Sequence, residues 1–515
     1  MSDTSANNKR IAKNTIILYF RMLFLMVVSL YTSRIILQAL GVEDYGIYNA
    51  VGGFIAMFSV ISSSLSAAIS RFITFELGKG DKSRLQKIFS ASLVIQTAIS
   101  GCIVILAETI GVWFLNSQMN IPTDRMMAAN WVFQFSIVTF VINLISVPYN
   151  ACIIAHEKMS VFAYISLFEA LGKLTVTFLV LNAGIDKLIY YAALMCFVAI
   201  SVRWIYSWYC KRNFEECHFK YSLDFPLLKE LFGFAGWNFI GASSGVLRDQ
   251  GVNVLLNIFC GPAVNAARGI AMQVSGAVSQ FSSSFVVAIN PQITKSFAAN
   301  QMEETFSLVF RGARFSVFLL LLLSLPVLFE ADYILSLWLG LVPDYAVSFV
   351  RLILIYVMLE CISYTMVTLM LATGSIRNYQ LLVGGCQMLN FPLAYMFLKL
   401  GYSPEVTIYI SIFVALGCLC LRLYMLRRMV RLPVVIFLKE VVLRLIVVVL
   451  ISLIVPSVVM ASMSDGFMRC AILAASSVIT TSIAVLYAGC TSSERSMIMS
   501  KLKAVASHFK IPTCE

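Results

Sequence analysis

Long apolar runs, separated by short polar stretches, recur along the whole chain. They fall at about 12–38, 44–70, 88–115, 126–150, 160–182, 187–210, 230–258, 263–290, 307–329, 346–372, 379–399, 404–426, 436–460 and 466–489. A helix rising 1.5 Å per residue needs roughly 20 residues to cross a hydrocarbon core about 30 Å thick. The pattern therefore predicts about fourteen membrane helices, with no soluble domain inserted between them. Composition agrees: 60% of the 515 residues are apolar and only 12% are charged. A soluble domain is about a quarter charged, so this chain lacks the polar surface to cover a set of globules. The expected fold class is an all-α polytopic membrane protein, which excludes a soluble enzyme, a secreted disulfide scaffold, a fibrous repeat or a disordered chain. The polar N-terminus runs straight into the first span without the short apolar core and cleavage site of a removable signal. That span is expected to be retained.

Charge sets the orientation. The chain holds 38 basic and 26 acidic residues, a net +12, and cytoplasmic loops are where such an excess accumulates. Even-numbered connections carry Lys79, Lys82, Arg84, Lys87, Lys158, Lys211, Arg212, Lys220, Lys229, Lys295, Arg377, Arg427, Arg428, Arg431 and Lys439. The opposite connections offer Arg125, Lys187, Lys399 and Arg469 beside Glu43, Asp44, Glu330, Asp332 and Asp344. The bias predicts both termini inside the cytoplasm and gives no reason to invoke nucleic acid. The 13 cysteines form no CxxC pair and sit mostly in apolar runs, as small core residues would. The 3 histidines, His156, His218 and His508, fall between or after spans, so neither a metal nor a His-based catalytic centre is expected.

An internal repeat is visible at a shift of 220 residues. ISSSLSAAISRFIT (61–74) then lies over FSSSFVVAINPQIT (281–294), with seven identities in fourteen positions, and Gly41 falls on Gly261. Six helices separate the copies, so both halves enter the membrane in the same direction. Transporters built on such parallel repeats bind substrate between the halves.

Polar and ionisable side chains at bilayer depth usually face a bundle interior or a water-filled cavity. Here they concentrate in the repeat-related spans one, two, seven and eight. At 100° per residue, Ser59, Ser62, Ser63, Ser66 and Ser70 share a face of span two. Asn265, Arg268, Ser275, Ser279, Ser282 and Ser283 share one of span eight. Ser243, Asp249, Gln250, Asn253 and Asn257 group on span seven, with Arg248 nearly opposite. Both sets reach one cavity only if that helix is broken. Span one contributes Arg21 and Arg34. Serine stripes also serve close helix packing, and Glu169 and Lys173, at i and i+4, read best as a mutually neutralising pair. Arg203, Arg351 and Glu360 carry no assignment. The deep chemistry is cationic and hydroxyl-rich, which suits an anionic substrate bearing many hydroxyls rather than an organic cation.

Several stretches resemble polysaccharide-exporting flippases. RIILQALGVEDYGIYN (34–49) is similar to their R-x-L-G-x-x-x-Y/F-G signature, with extra residues between the arginine and the Leu-Gly pair. SRFITFELGKGD (70–81), VPYNACIIAHEKMS (147–160), GWNFIGASSGVLRDQGVN (236–253), GPAVNAARGIA (261–271) and INPQITKSFAAN (289–300) resemble Wzx-type members of the multidrug/oligosaccharidyl-lipid/polysaccharide (MOP) superfamily. The resemblance implies a V-shaped, MATE-like arrangement of two six-helix lobes plus two C-terminal helices. Its expected divisions are an N-lobe at 1–210, a linker at 211–228, a C-lobe at 229–426, the added helices at 427–490 and a basic tail at 491–515. It further implies a flippase moving an undecaprenyl-pyrophosphate-linked oligosaccharide to the periplasmic leaflet of the bacterial inner membrane, upstream of a polysaccharide polymerase. No cofactor is expected beyond a coupling ion, H+ or Na+. Candidate head-group contacts are Arg21, Arg34, Arg248 and Arg268, with Asp249, Asn253, Asn257, Ser62 and Ser282 lining the same cavity. The competing readings are a flippase for the peptidoglycan precursor, a cation-coupled drug exporter of the same fold, and a membrane enzyme. An exporter lacks its first-span acid here, and an enzyme lacks a large outer loop or clustered catalytic acids and histidines.

Overall fold

The computed structural model describes residues 2–60, 69, 72–73, 76, 82–156, 158–220, 239, 243–373, 376–496 and 499–500. Among the described residues the chain is helix and short connection, with no β-strand. Hydrocarbon offers backbone amides no partner, so each crossing segment must pair its own.

Among the described residues, eleven helices are long and apolar enough to cross a membrane. The chain is a multi-pass membrane protein. In order, the helices are α1 (Ser2–Ala56), α2 (Lys82–Ser117), α3 (Met126–Ala155), α4 (Met159–Leu181) and α5 (Lys187–Asn213). Next come α6 (Val252–Cys260), α7 (Pro262–Ala298), α8 (Met302–Phe329), the short α9 (Ala331–Leu339) and α10 (Ala346–Ala372). The last four are α11 (Arg377–Lys399), α12 (Val406–Val430), α13 (Val434–Ser462) and α14 (Phe467–Gly489). The expected second and seventh spans lie partly outside the described residues, as do the linker beyond 220 and the tail beyond 500.

The first two spans differ from expectation at their junction. No loop separates them: helix continues on both sides of Gly41, which alone leaves helical geometry at φ 80, ψ 173. Gly261, its counterpart in the repeat, adopts φ 86, ψ 176 between α6 and α7. A side chain strains at positive φ, whereas glycine does not, so each half turns on one residue in the same way.

Contacts divide the chain into two compact units. One comprises Met1–Gln273, Trp338–Phe349 and Gln380–Val414, the other Val274–Leu337, Val350–Tyr379 and Ala415–Glu515. The first unit holds two apolar clusters. One joins Phe89, Tyr149, Cys152, Ile153 and Cys210. The other joins Val51, Ile55, Leu115, Val132 and Phe133, with Phe54 stacked on Phe114 at 5.1 Å between ring centroids. Cys152 and Cys210 thus pack as small apolar residues, and the described cysteines are free thiols. Within the second unit, α13 and the segment that follows α14 dock on α8 through Arg314, which donates to Glu494 at 2.7 Å and to Glu440 at 3.4 Å.

Candidate functional site

The polar face of the first unit is assembled around a fault in its helices. Leu247–Gly251 forms a single π-helical turn leading into α6. A π turn adds a residue to the turn and rotates everything before it. Within it Arg248 folds onto its neighbour Asp249: Arg248 Nε donates to Asp249 Oδ1 at 2.9 Å and Nη2 to Oδ2 at 3.2 Å. Arg268, on α7 and 7% exposed, reaches the same turn and donates from Nη2 to the Asp249 carbonyl at 3.3 Å. Arg248, Asp249 and Arg268 therefore form one cluster.

The expected asparagines belong to a different structure. Asn265 donates to the Asn253 carbonyl at 2.7 Å and to its Oδ1 at 2.8 Å, while Asn253 donates to the Asn49 carbonyl at 3.2 Å. Asn257 is fully buried and accepts from the Asn120 backbone amide at 3.1 Å. Asn253 and Asn257 thus pin α6 to α1, α7 and the α2–α3 connection in this conformation, rather than lining open space. Helix contact beside them is close. A Cβ on Gly46 would lie 1.9 Å from the Pro262 carbonyl oxygen. Nearby, Gln273 donates to the Ser29 carbonyl at 2.8 Å, and Trp338 Nε1 to that of Leu30 at 2.7 Å.

Ser282, in the second unit, is also fully buried, donating to the Ser316 carbonyl at 2.9 Å with Cys361 Sγ at 3.5 Å. It packs α7 on α8 and α10 here, the close-approach role that small hydroxyl residues share with ligand contact. Ser62, Ser63, Ser66 and Ser70 lie outside the described residues. Arg34 is half-buried on α1, two turns before Gly41.

Arg21 lies farther from Gly41, near the opposite end of the span. Its guanidinium stacks over Phe162 at 4.5 Å, and its Nε is buried without a partner. Glu169 pairs with Lys173 at 2.6 Å, as their spacing predicts. Sequence reasoning passed over Arg203, whose guanidinium lies 4.1 Å over the Tyr149 ring with Nη1 buried and unpartnered. The signal was available, since Arg203 and Tyr206 stand one turn apart on α5 well inside the span.

Arg125, Arg351 and Arg469, away from this face, are neutralised. Between α2 and α3, Arg125 holds Asp44 through Nε at 2.8 Å and Nη2 at 2.6 Å, and Asp186 through Nη1 at 2.7 Å. Burial pushes the Asp186 carboxyl up, but Arg125 and the Leu188 and Ile189 amides hold it below the usual carboxylate range. Arg351 takes Asp332 at 2.8 Å, and Arg469 takes Glu330 at 2.5 Å. Among the described residues no group of His, Cys, Asp and Glu is arranged to hold a metal ion.

This fold defines the class. It matches an inward-facing MATE-family multidrug resistance transporter of the MOP superfamily at TM-score 0.67 and 12% identity, over 81% of this chain and 98% of that one. It also matches the lipid II flippase MurJ in an inward closed conformation, at TM-score 0.64 and 13% identity, over 96% of this chain and 100% of that one. The chain has the MOP superfamily fold. Residues 11–297, more than half the sequence, match the polysaccharide biosynthesis protein family, and the chain belongs to that family. It is 22% identical over 316 residues to the uncharacterized membrane protein EpsK of Bacillus subtilis (strain 168), spanning 61% of this chain and 62% of that relative. The chain thus matches under two thirds of that relative's length. Its fold is the one shared by these solved transporter and flippase structures.

Proposed function

We propose that the chain translocates a lipid-linked oligosaccharide carrying a diphosphate, undecaprenyl-pyrophosphate in type, from the cytoplasmic to the periplasmic leaflet of a bacterial inner membrane. The observation that carries this reading is the set of arginines at bilayer depth in the first unit. Arg21 Nε is buried without a hydrogen-bond partner, Arg248 donates to the Asp249 carboxylate, and Arg268 donates to the Asp249 backbone carbonyl, so that two guanidiniums meet at one turn. A buried cation is costly in hydrocarbon, and an anionic head group is what such a face accommodates. Guanidinium forks match phosphate oxygens in geometry as well as charge. The sugar is polar and the diphosphate charged, so neither crosses hydrocarbon unaided, while the prenyl chain stays in lipid.

The division into an N-lobe at 1–210, a C-lobe at 229–426 and added helices at 427–490 rests on the repeat and on Gly41 and Gly261 sharing one geometry. Alternating access of the two lobes is the corresponding motion. Cytoplasmic termini rest on the distribution of lysine and arginine, and a polymerase would act on the product in the outer leaflet. An ion gradient of H+ or Na+ is the energy source that this class of fold suggests.

The test is to delete the gene in its host and follow diphosphate-linked sugars by mass spectrometry in inside-out and right-side-out vesicles. A complete repeat unit should accumulate on the cytoplasmic side and clear on complementation with wild type but not Arg268→Ala. Unchanged lipid-linked sugars with raised drug sensitivity would replace this reading with a drug exporter. Complete units stranded in the outer leaflet would place the protein after translocation.

A further inference from the structure

The first unit holds two groups of arginines, Arg248 with Arg268 and Arg21 with Arg203, at different distances along its helices. Counted along their helices at 1.5 Å per residue, Arg268 lies about 10 Å and Arg248 about 20 Å from the Gly41–Gly261 end. By the same count Arg203 lies about 24 Å from the start of α5, and Arg21 about 30 Å from Gly41. The second pair lies farther from the Gly41–Gly261 end, toward the end where His156 meets Glu216.

Four helices converge there. Arg21 comes from α1, Asn150 from α3, Phe162 and Glu169 from α4, and Arg203 and Tyr206 from α5. The two guanidiniums are held by aromatic faces, Phe162 at 4.5 Å and Tyr149 at 4.1 Å. Stacking fixes a guanidinium plane while using none of its five N–H donors. Arg21 Nε, Arg203 Nη1 and Asn150 Oδ1 are all buried without partners, and Asn150 sits beside the Tyr206 hydroxyl. Buried polar atoms ordinarily have a partner, in water or in a ligand. Glu169, within Coulombic reach of Arg21, is engaged by Lys173 at 2.6 Å instead. Elsewhere in the chain Arg125, Arg314, Arg351 and Arg469 each close on a carboxylate at 2.8 Å or less. The same solution was open to Arg21 and was not taken.

We infer that Arg21 and Arg203 form an inner anion station, separate from the Arg248–Arg268 cluster. With Asn150 and Tyr206 beside them, they receive the phosphoryl oxygens of the substrate before the outer cluster does. This deepens the proposed function and rests on it. A diphosphate offers several oxygens, so two forks edge-on to it replace two unmet donors with charge-assisted bonds. The anion then moves between stations of like chemistry rather than through one site deep in the bilayer. Arg203 is the residue this inference adds to substrate recognition. Lys173, by engaging Glu169, keeps that carboxylate off Arg21.

The experiment measures binding and transport on one set of variants in the full chain: Arg203→Gln, Arg203→Lys, Arg268→Gln and Lys173→Gln. Purified protein in detergent is titrated with a polyprenyl diphosphate, and separately with inorganic pyrophosphate, by native mass spectrometry. Arg203→Gln is expected to weaken polyprenyl diphosphate at least tenfold, Arg203→Lys to recover part of that, and Lys173→Gln, which releases Glu169 toward Arg21, to weaken binding less than Arg203→Gln. In deletion cells, Arg203→Gln should restore the cytoplasmic accumulation that wild type clears. Weakening with both probes would identify a general phosphate station, and weakening with the lipid alone a head-group station; either supports the inference. Binding by Arg203→Gln equal to wild type, with Arg268→Gln still defective, would overturn the inner station and leave the proposed function standing. No sugar accumulation in the deletion itself would remove the proposed function first. Should Arg203→Gln melt far below wild type, partial rescue of binding by Arg203→Lys at equal stability still decides the matter. Loss of both binding and rescue in the two variants would make Arg203 structural.

Discussion

At the level of single residues, two of the basic side chains that run against the charge bias in sequence have a local explanation. Arg125 and Arg469 are each tied to acidic neighbours: Asp44 and Asp186, and Glu330 with Asp465. The Asp186 pair yields a pH prediction. Its carboxyl is held below the usual range, chiefly by Arg125 against the cost of burial. Stability from that pair is complete above the ordinary carboxylate pKa of about 4 and is lost as pH falls through the lower folded value. The melting temperatures of wild type and Asp186→Asn should therefore differ by a constant amount from neutral pH to about 4, and converge below it. Asparagine keeps the helix-capping acceptor, so the gap reports the ion pair. A gap that widens in acid would contradict this reading. Glu169–Lys173 was legible from i,i+4 spacing alone. The loss of Asn257 and Ser282 to helix packing was not, because a one-helix projection shows which residues share a face and never what that face meets.

Elements show where local pattern succeeds and where it stops. Apolar runs located the spans, since helix is the only fully paired open segment in hydrocarbon. They could not show that Gly41 replaces a loop, because hydropathy does not register a single positive φ. Nor could a 3.6-residue projection anticipate the π turn at Leu247–Gly251, within which Arg248 meets Asp249. Gly46 gives the sharpest test at this scale. Its Cβ would lie 1.9 Å from a backbone oxygen, whereas one on Gly52 would meet nothing within 4 Å. Gly46→Ala should lower stability by about 1–3 kcal/mol through overpacking, while Gly52→Ala holds or rises with the better helix former. Equal melting temperatures for the two would show that α1 and α7 do not close as described. In the second unit, Arg314 and Glu494 are 4% and 7% exposed at the side chain. Glu494→Gln leaves Arg314 with a weaker partner, and an effect approaching the roughly 3–5 kcal/mol of a broken buried pair is expected in urea unfolding. A change under about 0.5 kcal/mol, the size usual for exposed surface positions, would contradict a docking role.

For the whole molecule, the repeat is the feature most fully readable in advance. A shift of 220 residues carries Gly41 onto Gly261, and the two share φ and ψ within a few degrees. Family membership and the MOP fold agree with the stretches that resembled flippases, so class was legible from order and spacing of weak motifs. Cargo was not, because identity of a sugar lies in the shape of a cavity that no motif encodes. The measurement that bears most directly on the central claim is reconstitution. The purified chain is placed in vesicles holding a polyprenyl-diphosphate oligosaccharide, and a lectin outside reports sugar in the outer leaflet. The account predicts that lectin-accessible sugar rises only with the protein present and an ion gradient imposed, and that Arg268→Ala abolishes the rise. Transfer at the same rate in protein-free vesicles, or undiminished transfer by Arg268→Ala, would contradict it.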